Sequence, residues 1–449
     1  MCKRRASLFA ALLAILAALA QGPADARDAR IIRDAEIENT IRLYATPLFQ
    51  AAGLSPKAID VYLIDDSSLN AFVTPGLRMF LHTGLLMRAA DPLQVIGVIA
   101  HETGHLAAGH TATRGDGVRR SANTVIAAYL LGLSAALATG RGEIATAAIR
   151  GGQDLALKGL LSYTRSQESA ADQYAITLLE GTGQSARGLL EFMQVLGGQE
   201  VLFATSQDPY LRTHPLTEDR VRFVEDQISR SRYSDVPAKP ELVRLHARMQ
   251  AKLVGFLEPI TRVLDRYPET DQSMPARYAR AIAYFQAGEI DNALDQIDAL
   301  LAELPDDPYF HELKGQMLLE HGRIPGAVAA YDAAAQRLPD SALIRLSLAQ
   351  AQIEMNDPTF DKKALTHLAA ALAEDPSNSF AWRLSAIAYG RQGDIGMTAL
   401  ALAERALIRG EAPEAEAQAV RAQKILSEGS PAWLRAMDVE KEAQRLAKN

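Results

Sequence analysis

His101-Glu102-Thr103-Gly104-His105 places two histidines four residues apart, with a glutamate directly after the first. On a helix that spacing sets both imidazoles on one face, where together they can hold one Zn²⁺. The glutamate between them is placed to act as general base on the water that such a metal activates. Two histidines are an incomplete set, because catalytic zinc takes a third protein ligand and keeps one position open. The third is not the last histidine of a longer HExxHxxGxxH pattern: Thr111 stands at that position and Ala108 at that of the glycine. His110 lies five residues beyond His105, off the shared face, and reads as a structural histidine. A carboxylate from a second helix remains, and Glu168-Ser169-Ala170-Ala171-Asp172 supplies it. Glu168 and Asp172 share a helical face. One can bind metal while the other accepts a hydrogen bond from a ligand histidine's free ring nitrogen. Ala170 and Ala171 allow a close approach of the two helices.

These residues need a scaffold, and the chain around them provides one. Asp91 is a cap, Pro92 suits the first helical position and Gln94 can reach back as in a capping box. Leu93, Val95, Ile96, Val98 and Ile99 then carry a buried, rigid helix into His101. Upstream, residues 27–56 read as a helical entry segment ending near Gly53. Residues 59–64 (IDVYLI) are β-branched and apolar and precede the turn residues Asp65-Asp66-Ser67-Ser68. Two short extended runs, 70–73 and 79–82, flank Thr74-Pro75-Gly76. A small sheet or hairpin is therefore expected ahead of the motif helix. Downstream, residues 163–180, 190–230 (broken at His214-Pro215) and 242–266 read as helices. Residues 122–140 are 19 uncharged residues rich in alanine and leucine. They read as a buried or interfacial helix, with a membrane-dipping or membrane-spanning segment as the alternative.

A repeat follows. Pro305 and Pro339 stand 34 residues apart, as do Gly288 and Gly322. Gly315, Ala327, Tyr331, Ala334 and Pro339 fall at the offsets of a tetratricopeptide repeat beginning at Pro308. Ala281, Tyr284, Ala293 and Pro305 fit a preceding copy. Ala349, Ala364, Ala371 and Pro376 fit a following copy, after a three-residue insertion near 356–362. Trp382, Ala386 and Tyr389 start a fourth. Such units stack into an α-solenoid.

The leader bounds the compartment. Lys3, Arg4 and Arg5 precede an uncharged run from Ala6 to Gln21, and Ala18-Leu19-Ala20 is a processing site, with Ala24-Asp25-Ala26 as a second. Loss of residues 1–20 removes three positive charges and takes the formal net charge from −7 to −10. An acidic exported chain is a poor nucleic-acid binder. Cys2 is the only cysteine and lies in the leader, so neither a disulfide nor a thiol nucleophile is expected.

HETGH, RSQESAAD and Thr213-His214-Pro215 with Arg220 behind it resemble the M48 family of zinc metallopeptidases. Asn70-Ala71-Phe72 and His82-Thr83-Gly84-Leu85 resemble that family's strand region. The resemblance implies one Zn²⁺ per chain held by His101, His105 and Glu168, with Glu102 as general base. Asp172 matches the family's second acidic residue, sometimes described as a proton donor; its place one turn from a ligand favours an orienting role. His214 matches a histidine that can occupy the open metal position and restrain activity; a packed loop histidine or an oxyanion stabiliser is the alternative. The expected fold class is α+β, mostly α: a gluzincin-type metallopeptidase domain with a small β-sheet (27–255), a tetratricopeptide-repeat solenoid (256–425) and a C-terminal capping helix (426–449). The expected function is a periplasmic zinc endopeptidase in quality control or assembly of outer-membrane proteins. Unfolded outer-membrane polypeptides would add as strands along Asn70, Ala71, Phe72 or His82. The repeats would reach the outer-membrane assembly machinery, and peripheral membrane association fits the apolar segment. The competing expectation is a chaperone or adaptor that acts through its repeats with a latent peptidase site.

Overall fold

The structure is a computed structural model that describes residues 30–110, 164–202, 210 and 214–448. The expected leader, the apolar segment 122–140, Thr111 and Thr213 lie outside the described residues. Among those described, no helix is long and apolar enough to cross a membrane.

The entry segment is a strand and then a helix. β1 (Ile31–Ile32) precedes α1 (Ala35–Ala51), which starts where Asp34 accepts the Ile37 N–H at 2.9 Å. The sheet continues with β2 (Asp60–Ile64), β3 (Ala71–Thr74) and β4 (Arg78–His82) in the order β1-β2-β4-β3. β3 and β4 form the expected hairpin, turned at Gly76 and Leu77 with φ of 88° and 58°. β4 then slots in parallel beside β2, pairing Tyr62 with Phe80 and Ile64 with His82. This corrects one expectation. The strand carrying His82 is hydrogen-bonded on both sides, so neither Arg78–His82 nor His82 itself can be a substrate edge. His82 instead meets Ser68 Oγ through Nδ1 at 2.8 Å. β3, with Ala71 and Phe72, is a free edge among the described residues.

α2 (Thr83–Arg88) leads into α3 (Pro92–Ala107), the motif helix. α4 (164–181), α5 (Arg187–Leu202), α6 (Glu218–Arg230) and α7 (Pro240–Leu257) complete the catalytic half. Alternate inward residues of the sheet (Leu63, Met79, Leu81) pack with Ile41, Phe49, Ile96, Ile99, Leu179, Phe192 and Val224 in one core. α7 closes that core with Met249 and Leu253 and opens a second with Ala251 and Val254, against Tyr278, Ile282 and Phe310. The expected division at 255/256 thus falls inside a continuous helix that serves both halves.

Helix pairs follow at Met274–Gln286 with Ile290–Glu303, Pro308–Glu320 with Ile324–Arg337, Ala342–Glu354 with Pro358–Glu374, and Ser379–Arg391 with Ile395–Ile408. These are the four phased copies. Gly315 is small for a reason: a Cβ there would sit 2.8 Å from the Tyr331 ring. The three-residue insertion is absorbed as almost one extra turn, giving a 17-residue second helix. The expected C-terminal capping helix, Pro431–Leu446, pairs with Ala412–Ile425 and extends the stack.

Candidate metal centre and active site

α3 begins as its sequence suggests, with Asp91 Oδ1 accepting the Leu93 N–H at 2.7 Å and Pro92 in the first turn. Gln94 reaches back, but its Oε1 accepts from Ala90 at 3.0 Å, one residue before the capping-box donor. The helix is buried along almost its whole length, which fixes the direction of His101, Glu102 and His105. Two glycines let neighbours close on it. A Cβ on Gly97 would meet the Leu189 backbone at 2.7 Å, and one on Gly104 would meet the Ala171 carbonyl at 2.8 Å. Ala171 therefore provides the close approach expected of the ESAAD segment.

That crossing brings four donors together. One donor atom from each of His101, His105, Glu168 and His214 lies within 4.8 Å of all the others, and all four residues are buried. His101 Nε2 and His105 Nε2 are 3.2 Å apart; they lie 3.3 and 3.4 Å from the Glu168 oxygens. His214 places Nδ1 3.1 Å from Glu168 and Nε2 3.5 Å from Glu102 Oε1. Behind the cluster, Asp172 Oδ1 stands 2.9 Å from His101 Nδ1. Arg220 donates to both Asp172 oxygens at 2.6 and 2.9 Å, to the Pro215 carbonyl at 2.8 Å, and lies 3.1 Å from Glu168.

Two further residues border the cluster, one without a sequence signal and one read from sequence as a structural histidine. Tyr210, four residues before His214, is buried and stacks its ring on that imidazole at 4.6 Å and 26°. His110 is not one of the four clustered donors, yet its Nδ1 lies 3.0 Å from His105 Nδ1. There it can fix which His105 nitrogen faces the cluster.

The electrostatics suit a cation. Burial opposes charge on Glu168, but the His214, His101 and His105 imidazoles hold its carboxylate far below the usual range. Burial likewise opposes charge on Asp172, and the Arg220 and His101 hydrogen bonds depress it. Against its own burial, His101 is pushed up to about 10 by Asp172 and Glu168. His105 is pushed down to about 3, mainly by burial, which leaves its lone pair available. A buried set of imidazoles and one carboxylate, with a second carboxylate fixing a ring, has the donor chemistry of a zinc site. The set opens on a cleft lined by Val73 of β3, Glu102, His110, Gln167 and His214.

Residues 32–228 match peptidase family M48, and residues 278–342 match a tetratricopeptide repeat. The chain is 24% identical over 357 residues to the beta-barrel assembly-enhancing protease of Yersinia pestis, covering 79% of this chain and 72% of that one. It is 24% identical over 333 residues to the protein of that name from Escherichia coli strain K12, covering 74% and 68%. It is 27% identical over 185 residues to the mitochondrial metalloendopeptidase OMA1 of Schizosaccharomyces pombe, covering 40% and 49%.

Proposed function

With a peptidase family M48 domain at residues 32–228 and tetratricopeptide repeats behind it, the chain is a zinc metalloendopeptidase, and we propose that it works in the periplasm on unfolded or misassembled outer-membrane polypeptides. The observation that carries the reading is the buried His101–His105–Glu168–His214 cluster with Glu102 beside it, in a cleft bordered by a strand edge that is free among the described residues. The names of the relatives support the substrate class. The basic, apolar leader supports export.

In this reading His101, His105 and Glu168 hold the zinc. When bound, the metal supplies a Lewis acid that acidifies water and polarises the scissile carbonyl. Glu102 takes the water proton on its carboxylate and hands it to the leaving amine nitrogen. Asp172 keeps the His101 proton on Nδ1, so that Nε2 presents its lone pair to the cluster, and Arg220 holds Asp172 in place. With both oxygens of Asp172 engaged in this way, orienting His101 is its task rather than proton donation. His214 would restrain the resting enzyme: as a fourth protein donor it would compete with water for the metal, and its Nε2 faces the Glu102 carboxylate. Substrate adds as a strand to β3, held by main-chain hydrogen bonds that tolerate varied sequence. The repeats dock the assembly machinery of the outer membrane.

Glu102→Gln tests the mechanism. Metal analysis should find the zinc content unchanged, while hydrolysis of unfolded casein falls by roughly 10²–10⁴-fold. Full activity in that variant overturns the reading. Full rescue of cells by the same inactive variant would instead make the chain an adaptor that works through its repeats. His214→Ala should raise casein turnover if the imidazole restrains the site, and a fall in turnover would assign it a supporting role.

A further inference from the structure

The outer face of the sheet carries a row of aromatic rings that stops at the free edge. Tyr62 on β2, Phe80 on β4 and Phe72 on β3 stand directly opposite one another across three strands. Tyr62 and Phe80 stack with centroids 5.1 Å apart and planes 20° apart; Phe80 and Phe72 stack at 4.9 Å and 16°. These separations are close to the spacing of paired strands, so the rings repeat with the sheet itself. All three are half-buried, and His82 meets the Phe72 ring edge-on at 6.0 Å. The stack has a partner on the inner side of Phe72, and β3 has no strand beyond it among the described residues.

The backbone of β3 points the same way. The His82 N–H donates to the Asn70 carbonyl at 3.0 Å, so alternation turns residues 70, 72 and 74 toward β4 and leaves the main-chain groups of Ala71 and Val73 facing outward. Val73 also lines the cleft that holds Glu102. A strand added there would place one set of alternate side chains on the cleft side and the other set on the Phe72 side. The residue opposite Phe72 would form the pair type with the shorter side-chain separation in an antiparallel addition.

We propose that Phe72 is a specificity-determining residue: a substrate strand on β3 is preferred when it presents an aromatic side chain opposite Phe72, extending the Tyr62–Phe80–Phe72 stack by one ring. The proposal rests on strand addition to β3. Its substrate class is an extended polypeptide with aromatic residues in an alternating pattern, as outer-membrane strands carry at their aromatic girdles. A cross-strand aromatic pair adds modestly to area burial, which amounts to about a threefold to tenfold change in affinity.

The test uses full-length, zinc-loaded Glu102→Gln protein and fluorescein-labelled unstructured peptides that differ only by Phe or Ala at one scanned position. Fluorescence anisotropy should give about threefold to tenfold tighter binding for Phe at one position. That ratio should fall to nearly one with Phe72→Ala and return with Phe72→Tyr. Equal affinity for the Phe and Ala peptides, undetectable binding of both, or a ratio that survives Phe72→Ala overturns the proposal. A parallel series with the backbone amides N-methylated separates the two ideas. If methylation does not weaken binding, strand addition itself fails; if it does and Phe confers no advantage, only the aromatic preference fails.

Discussion

Both carboxylate oxygens of Asp172 are engaged, Oδ1 with His101 and Arg220 and Oδ2 with Arg220, and all three residues are buried. Arg220 also neutralises part of the Glu168 charge at 3.1 Å. It thus sets a permanent positive charge against two buried carboxylates of the cluster. Arg220→Ala leaves buried carboxylates without it, and removing one partner of such a pair costs about 3–5 kcal/mol. Urea unfolding of the metal-free variant should show that loss, and zinc should bind about 10–100-fold more weakly, because Asp172 no longer holds His101. Unchanged zinc affinity would mean that His101 is oriented by its helix alone. Three of the four clustered donors, His101, His105 and Glu168, were legible in sequence because the HExxH and ExxxD spacings each encode a shared helical face. Arg220 was legible only through the company it keeps near His214-Pro215. Tyr210 was not legible: a ring stacked on an imidazole leaves no more in sequence than a residue four positions away, which any helix supplies.

At the level of elements, the site exists because α3 and α4 cross at Gly104 and Ala171. The side chains Glu168 and Asp172 reach His101 only if those backbones approach closely. Gly104→Ala raises helix propensity by up to about 1 kcal/mol. The new Cβ, however, would lie 2.8 Å from the Ala171 carbonyl oxygen and 3.0 Å from Tyr174 Cβ, neither of which can swing aside. Overpacking of about 1–3 kcal/mol should win, and the helices should part. The expected outcome is a lower Tm together with weaker zinc binding by competition with a chelator. A variant with higher Tm and wild-type zinc affinity would show that the crossing has slack. Sequence pattern located the motif helix, the hairpin and the repeats, since each has a strong period or turn signal. It could not give the strand order. Alternation marks which residues of β4 point inward but not that β2 pairs on its far side, and that pairing removes the His82 strand as a candidate edge and leaves β3 of the two expected. β1 escaped for a simpler reason, as two residues carry no period.

Across the whole molecule, α7 ties the peptidase half to the repeats through charge as well as through its two apolar faces. Lys252 meets Asp34 at 2.7 Å and Glu36 at 3.3 Å, while Arg248 bridges Glu36 and Asp307 with its guanidinium 4.1 Å from the Phe310 ring centroid. Tyr278 donates to Glu36 at 2.8 Å. Residues 34, 36, 248, 252, 278 and 307 are scattered along the chain, and each taken alone reads as an ordinary solvated or core position, so the junction was invisible before the fold. One acid there is only partly compensated. Glu312 lines a cavity of about 430 Å³ beside Lys252, and its Oε2 is buried without a hydrogen-bond partner. Burial, reinforced by Asp34 and Glu36 and opposed by Lys252, pushes its carboxyl up to about 8 from an ordinary 4.5. Between those values the unfolded chain has released this proton while the folded chain keeps it. Its contribution is therefore fully present below pH 4.5, declines as pH rises, and is lost once pH passes about 8. Glu312→Gln replaces the carboxyl with a neutral group of the same shape and removes that dependence. Calorimetry should find wild type and variant equal in Tm at the acid end of the window. Above pH 8 the variant should melt higher, with each ~1 kcal/mol moving Tm by roughly 2–4 °C in a domain of ~200 residues. Parallel Tm profiles across the window would show that Glu312 is already ionised in the folded chain and that Lys252 compensates it.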